Sequence, residues 1–217
     1  TDKVVLFDID YTLFDTERLR KDVYERLADV LGLDRAEIEE IGQRIYEDIT
    51  SPIGYFTPKY FVKEMAKRGN REEKKREIEQ AIWDKRNFEG NFYEETEKVL
   101  KALSGFCKIG IFSKGYNRFQ RAKLVAIEHL LEKDQIHITV NKKLSLPELL
   151  AKYKHNTLYL VDDALDILCE AKKLRNDIFI IWVKRGRYAN VQKQIASFIP
   201  DAQVMDLRAV VNIVKAQ

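Results

Sequence analysis

Two carboxylates, Asp8 and Asp10, stand two residues apart in the stretch 4–12, VVLFDIDYT. They follow an apolar run, Val4, Val5, Leu6 and Phe7, and Thr12 closes the stretch. Acids at this spacing on an extended chain point to the same side. Held together they repel each other and invite a cation. Three later places bring further reactive types. Ser113 follows the apolar run CKIGIF, Lys142 and Lys143 follow HITVN, and VDDALDI carries Asp162, Asp163 and Asp166. Taken singly, each has a plainer use. The acids can cap a following helix, the serine can end a strand in a turn, and a lysine can be a solvated surface residue. The choice between the two readings depends on whether the fold brings these places together.

The elements that carry them suggest that it does. The run before Asp8 is rich in β-branched residues and bounded by polar ones, which predicts a buried parallel strand. Similar runs at 107–112, 135–140, 157–161 and 178–183 predict further strands, and 202–205 a short edge strand. Helical patterns lie between them, at 94–103, 119–131, 147–153 (with Pro147 in its first turn), 165–173, 191–199 and 207–215. This alternation predicts a doubly wound parallel α/β sheet. In such a sheet the C-terminal ends of the strands lie together and form the ligand crevice. From Asp15 and Thr16 to about Asn91 there is no strand pattern. Leu19, Val23, Leu27, Val30 and Leu31 recur at helical spacing, and Ile38, Ile41, Ile45 and Ile49 do so after Asp34. Helices at 59–68 and 71–86 complete a helical block, interrupted at 51–58 (SPIGYFTP).

Composition narrows the class of function. The chain has 217 residues, 45% apolar and 34% charged, which suits a globular protein with a real core. A net charge of +3, with basic and acidic residues interleaved, gives no reason to expect nucleic acid as a partner. No apolar run approaches the length of a membrane span, and the N-terminus enters a core strand without room for a signal peptide, so a cytoplasmic protein is expected. Cys107 and Cys169 lie in apolar surroundings and read as buried thiols, and three scattered His give no zinc-type spacing.

The order of the motifs resembles the haloacid dehalogenase-like hydrolase superfamily, in its phosphatase branch. That family carries D-x-D-x-T after its first strand, matched by Asp8-Ile9-Asp10-Tyr11-Thr12. A Ser or Thr ends its next strand, matched by Ser113. A Lys precedes its last motif, which is an acidic pair written DD or D-x-x-x-D. The helical block matches the family's small cap. The resemblance covers nearly the whole chain and implies a Rossmann-like core from 1–15 and 92–217 with a helical cap domain at 16–91.

The resemblance also implies roles. Asp8 is the nucleophile and forms an aspartyl-phosphate; Asp10 is the general acid toward the leaving alcohol and then the base for water. Dehalogenases of the superfamily lack that second Asp, so Asp10 favours phosphate chemistry. Thr12, Ser113 and one lysine hold the phosphate. Lys142 and Lys143 both qualify, and Lys143 is preferred because it lies closer to the following helix. Mg2+ is the implied cofactor, held by Asp8, by Asp10 through its backbone carbonyl, by Asp162, and by Asp163 or Asp166. Asp166 is taken as the second acid because it lies one helical turn on. Tyr55 and Phe56, in the break at 51–58, either face the substrate or fill the core of the cap. The expected substrate is a small phosphorylated metabolite. A sugar-phosphate mutase and a non-catalytic phosphate or partner binder are the rivals.

Overall fold

The structure is a computed structural model and describes residues 2–50, 54–186, 191–192 and 194–217. Six parallel strands form one sheet among these residues: β1 (Lys3–Phe7), β2 (Lys108–Lys114), β3 (Ile136–Thr139), β4 (Thr157–Asp162), β5 (Phe179–Val183) and β6 (Ala202–Val204). Their order is β3-β2-β1-β4-β5-β6. The chain therefore winds one way from β1 and then crosses back to place β4 on its other side. Such a reversal opens a crevice at the strand ends. Phe7 pairs with Val161, and the Asp8 amide donates to the Val161 carbonyl at 2.9 Å, so Asp8 and Asp162 leave the sheet side by side.

Both faces of the sheet are covered, which is why its strands read as unbroken apolar runs. Val5 and Phe7 pack on one face with Tyr159, Val161 and helices from the first half of the chain. Val4 and Leu6 pack on the other face with Leu158, Leu160, Leu146 and Leu168. Gly110 of β2 leaves no room for a side chain: a Cβ there would run into Gln135 and Leu6.

Between β1 and β2 the chain forms α1 (Thr16–Leu31), α2 (Arg35–Thr50), α3 (Pro58–Arg68), α4 (Lys75–Ile82) and α5 (Arg86–Glu89). The Asp15 side chain caps α1 by accepting from the Arg18 amide at 3.0 Å. The chain leaves the core and returns to it along one two-stranded strap. Asp15 N–H donates to Asn91 O at 2.7 Å and Tyr93 N–H to Leu13 O at 3.2 Å. Phe14 and Phe92 meet edge to face with centroids 5.2 Å apart.

After the strap come α6 (Thr96–Ser104), α7 (Asn117–Leu124), α8 (Lys142–Lys152), α9 (Leu165–Leu174) and a C-terminal helix, Arg208–Ala216. Four expected helices differ. The one over 119–131 begins at Asn117 and stops at Leu124, followed by a 3-10 turn, Glu128–Leu130. The single helix over 71–86 is instead a 3-10 turn (Glu72–Lys74), α4 and the short α5. Buried Asn87 turns the chain there, donating to the carbonyls of Ala81 and Ile82 at 2.8 and 3.0 Å. The helix expected at 147–153 begins at Lys142, with Pro147 inside it, because the Asn141 side chain caps it by accepting from the Leu144 amide at 3.2 Å. The helix expected over 191–199 falls partly outside the described residues, and Ala196 and Ser197 form a turn. No helix among the described residues is long and apolar enough to cross a membrane.

Candidate active site

The strand ends bring the predicted groups together around one buried ammonium. Lys142, the first residue of α8, is 5% exposed, and its Nζ donates to Asp8 Oδ1 at 2.5 Å and to Asp162 Oδ2 at 2.6 Å. This corrects the choice of Lys143. Consecutive helical residues point about 100° apart, so only one of the two can face inward. Because α8 starts five residues before Pro147, that one is Lys142. Lys143 is 54% exposed and pairs with Asp166 at 2.8 Å.

Asp166 is corrected for a related reason. It stands in the first turn of α9, 45% exposed at the mouth of the cleft. Asp163 turns inward instead. Asp162 Oδ1 accepts from the Ala164 amide at 2.9 Å and so bends the chain sharply. The Asp163 carbonyl is fixed by Trp182 Nε1 at 3.0 Å and Gln192 Nε2 at 2.7 Å. Asp8, Asp162 and Asp163 are all buried, and one carboxylate oxygen of each lies within 4.8 Å of the others.

Asp10 is held apart from this cluster by its own donors. Lys123 Nζ donates to Oδ1 at 2.5 Å, Thr16 Oγ1 makes a short bond to the same oxygen, and Gln120 Nε2 donates to Oδ2 at 2.7 Å. Gln120 Nε2 also lies 3.2 Å from Ser113 Oγ, tying that buried serine into the same network. Lys123, Gln120 and Thr16 were not picked out from the sequence. Gln120 and Lys123 are three apart and so share a face of α7, but a lysine in a charged helix reads as solvent-facing. Thr12 is also buried. Its hydroxyl has no hydrogen-bond partner among the described residues, and it does not line the cleft.

The loop after Asp8 is braced from β5. Tyr11 has a left-handed backbone, with φ at 58°, a conformation side chains seldom adopt. Its ring fills the space at Gly186, where a Cβ would stand 2.6 Å from it. Arg185 Nε donates to the Tyr11 carbonyl at 3.4 Å, and Nη2 donates to the Thr12 carbonyl. The same guanidinium pairs with buried Glu95 and lies 3.5 Å from the centroid of the Tyr93 ring.

The electrostatics follow from a count of charges. Among the described residues, Lys123 answers Asp10, and Lys142 alone answers Asp8, Asp162 and Asp163. Burial raises the Asp8 carboxyl to about 7, with Asp162 and Asp10 adding to the rise and Lys142 opposing it. Asp163 is pushed well up by burial and by Asp162 and Asp8. Burial would lower Lys142, but Asp162 and Asp8 outweigh it and hold the ammonium protonated. Burial would raise Asp10 too, but the Lys123 charge and the bonds from Lys123, Thr16 and Gln120 hold it below the ordinary carboxylate value. A surplus of buried carboxylate charge with oxygen donors only suits a hard divalent cation such as Mg2+. Asp8, Asp162 and Asp163 are the side chains that would hold it.

A doubly wound sheet with paired acids after β1, a serine after β2, a lysine after β3 and acids after β4 defines a hydrolase class. The family model for haloacid dehalogenase-like hydrolases matches residues 5–143, and the chain belongs to that family. Solved structures agree on the fold. A protein described as a haloacid dehalogenase-like hydrolase, from Burkholderia xenovorans, is 22% identical with a TM-score of 0.81, covering 99% of this chain and 97% of that one. The HAD-hydrolase YfnB from Bacillus subtilis, bound to magnesium, is 12% identical with a TM-score of 0.68 over 98% of both chains. A 2-haloacid dehalogenase from Pseudomonas syringae is 16% identical with a TM-score of 0.65, covering 99% and 98%. No curated protein sequence matches the chain significantly.

Proposed function

We propose that the protein is a magnesium-dependent phosphomonoester hydrolase acting on a small phosphorylated metabolite in the cytoplasm. The observation that carries this reading is Asp10: a second carboxylate beside the nucleophile position, held by its own three donors. A site that only displaced halide at carbon would have no use for it. The surplus charge around Lys142 supports the same reading, since it calls for a cation.

In this mechanism an Asp8 oxygen attacks phosphorus and the bond to the leaving oxygen breaks, giving an aspartyl-phosphate and an alcohol. Asp10 is ionised, and the Lys123 ammonium bonded to it at 2.5 Å supplies the proton that Asp10 passes to the leaving oxygen. Asp10 then takes a proton from water, which attacks the aspartyl-phosphate and releases phosphate. Lys142, together with a bound cation, would hold Asp8 ionised against its burial; Lys142 also meets the phosphoryl oxygens, and Ser113 donates a further hydrogen bond to them. A bound divalent cation would supply charge neutralisation to the transferring group. The helices α1–α5 over the mouth of the cleft serve as a cap that excludes water and contacts the leaving group.

The test is hydrolysis of para-nitrophenyl phosphate with magnesium. Turnover is expected to stop with chelator and in Asp8→Asn. Halide release from 2-haloacids without phosphatase activity would overturn the proposal and point to the reaction named for the Pseudomonas syringae structure.

A further inference from the structure

The cleft does not end at the carboxylates. It runs on into the helices as one cavity of about 760 Å3. One end holds Asp8, Asp10 and Lys142. The walls of the other end come from Leu19, Val23 and Tyr24 of α1, from Phe56 and Phe61, and from Phe119 of α7. Phe56 packs on Phe61 and Phe119, with centroids 5.4 and 5.1 Å apart, and Phe119 is wedged against Trp83 and Phe88. So Phe56 both joins an aromatic cluster and faces the cavity, which answers the two readings of the break at 51–58 together.

Two of the cations that line the cavity are matched. Arg20 pairs with Glu17, and Lys123 pairs with Asp10. Lys114 also lines the cavity and stands beside Gly54. Polar groups such as Gln43, Tyr55 and Tyr116 line other parts of the cavity, but against the rings and aliphatic carbons of this wall a polyol's hydroxyls would be buried unfavourably. A flat apolar body fits this wall, because ring faces prefer offset or edge-on contact with other rings. We infer that the substrate is a phosphomonoester whose alcohol carries an aromatic ring, seated between α1, Phe56 and Phe119 while the phosphate lies at Asp8. This rests on the phosphatase reading and deepens it by naming the leaving group.

The experiment compares esters of primary alcohols, so that the intrinsic reactivity of the leaving groups is similar. They are benzyl, 2-naphthylmethyl and ethyl phosphate, glycerol phosphate and glucose 6-phosphate. With the native protein and magnesium, the two ring esters should exceed ethyl phosphate and the sugar phosphate by at least about tenfold in kcat/KM, carried mostly by KM. Phe56→Ala should narrow the ratio of benzyl to ethyl ester by raising KM for the benzyl ester. Calorimetric binding of the same esters to Asp8→Asn protein with magnesium decides the question without turnover, and the ring esters should bind about tenfold tighter. Glucose 6-phosphate binding as well as or better than the ring esters would overturn the inference and leave the phosphatase reading standing. Absence of hydrolysis for every ester would remove that reading, and the binding order would still judge the ring preference.

Discussion

Replacing Lys142 by Met tests the charge count at its centre. The ammonium is 5% exposed and bridges Asp8 and Asp162 at 2.5 and 2.6 Å. Its loss leaves Asp8, Asp162 and Asp163 with no paired cation among the described residues. Removing one partner of a buried ion pair costs about 3–5 kcal/mol. Here the lower end applies, since Asp8 and Asp163 already hold protons readily and can neutralise themselves. In a chain of this size each kcal/mol moves Tm by about 2–4 °C, so a loss of about 3 kcal/mol lowers Tm by roughly 6–12 °C in chelator. Asp163→Asn should do the opposite. It removes one surplus charge with little change of shape, and a gain of about 1 kcal/mol raises the metal-free Tm by roughly 2–4 °C. Magnesium should then stabilise the native protein, by about 2.7 kcal/mol at a hundredfold excess over its Kd, and stabilise Asp163→Asn less. Scanning calorimetry of the three proteins, with chelator and with magnesium, gives all the numbers. An unchanged Tm in Lys142→Met, or a lowered metal-free Tm in Asp163→Asn, would refute the reasoning.

Other outcomes follow from the same contacts. Metal-free stability should fall as pH rises from about 4 to about 7. Asp8 titrates near 7 when folded against 3.8 when free, so over this window the folded state holds a proton the unfolded chain has released. Urea titrations across the window should show this fall, and a shallower one in Asp163→Asn. Lys143→Ala should keep kcat/KM within about twofold and stability within about 0.5 kcal/mol, because its pair with Asp166 is half exposed; Lys142→Ala should lose more than a hundredfold. Lys123→Met should lower kcat by about 10–100-fold with a smaller change in KM, since Asp10 loses its charged partner. Arg185→Met should cost about 2–3 kcal/mol in urea titrations by leaving Glu95 buried without a cation, and should lower kcat by loosening the Tyr11–Thr12 turn.

Much of this arrangement was legible in the sequence. Unbroken apolar runs marked β1, β2, β4 and β5 because both sheet faces are covered, and the polar residues after them had to meet at one edge. Adjacent candidates were not separable in the same way. Lys142 and Lys143 differ only in which way a helix turn presents them, and Pro147 suggested a helix start five residues late. Asp163 and Asp166 differ through the bend that Asp162 makes by bonding the Ala164 amide. Lys123 was hidden more deeply. Its burial is set by Asp10, 113 residues away, and no local pattern reports a partner at that distance. The break at 71–86 likewise depends on Asn87, a polar residue whose burial comes from packing.

The strap formed by residues 13–15 and 91–93 has a consequence for how such a protein changes over time. Asp15 N and Asn91 O are 2.7 Å apart, so the chain departs from and rejoins the sheet at a single doorway. A stretch whose two ends already touch can lengthen, shorten or be traded for another without moving the strands on either side, because closing the loop costs the core nothing new. Residues 17–90 are in this sense a cassette. The charged groups at the strand ends stay behind when it is exchanged, and the aromatic wall goes with it, apart from Phe119. Heredity can thus revise what the cleft admits while leaving untouched how the cleft reacts.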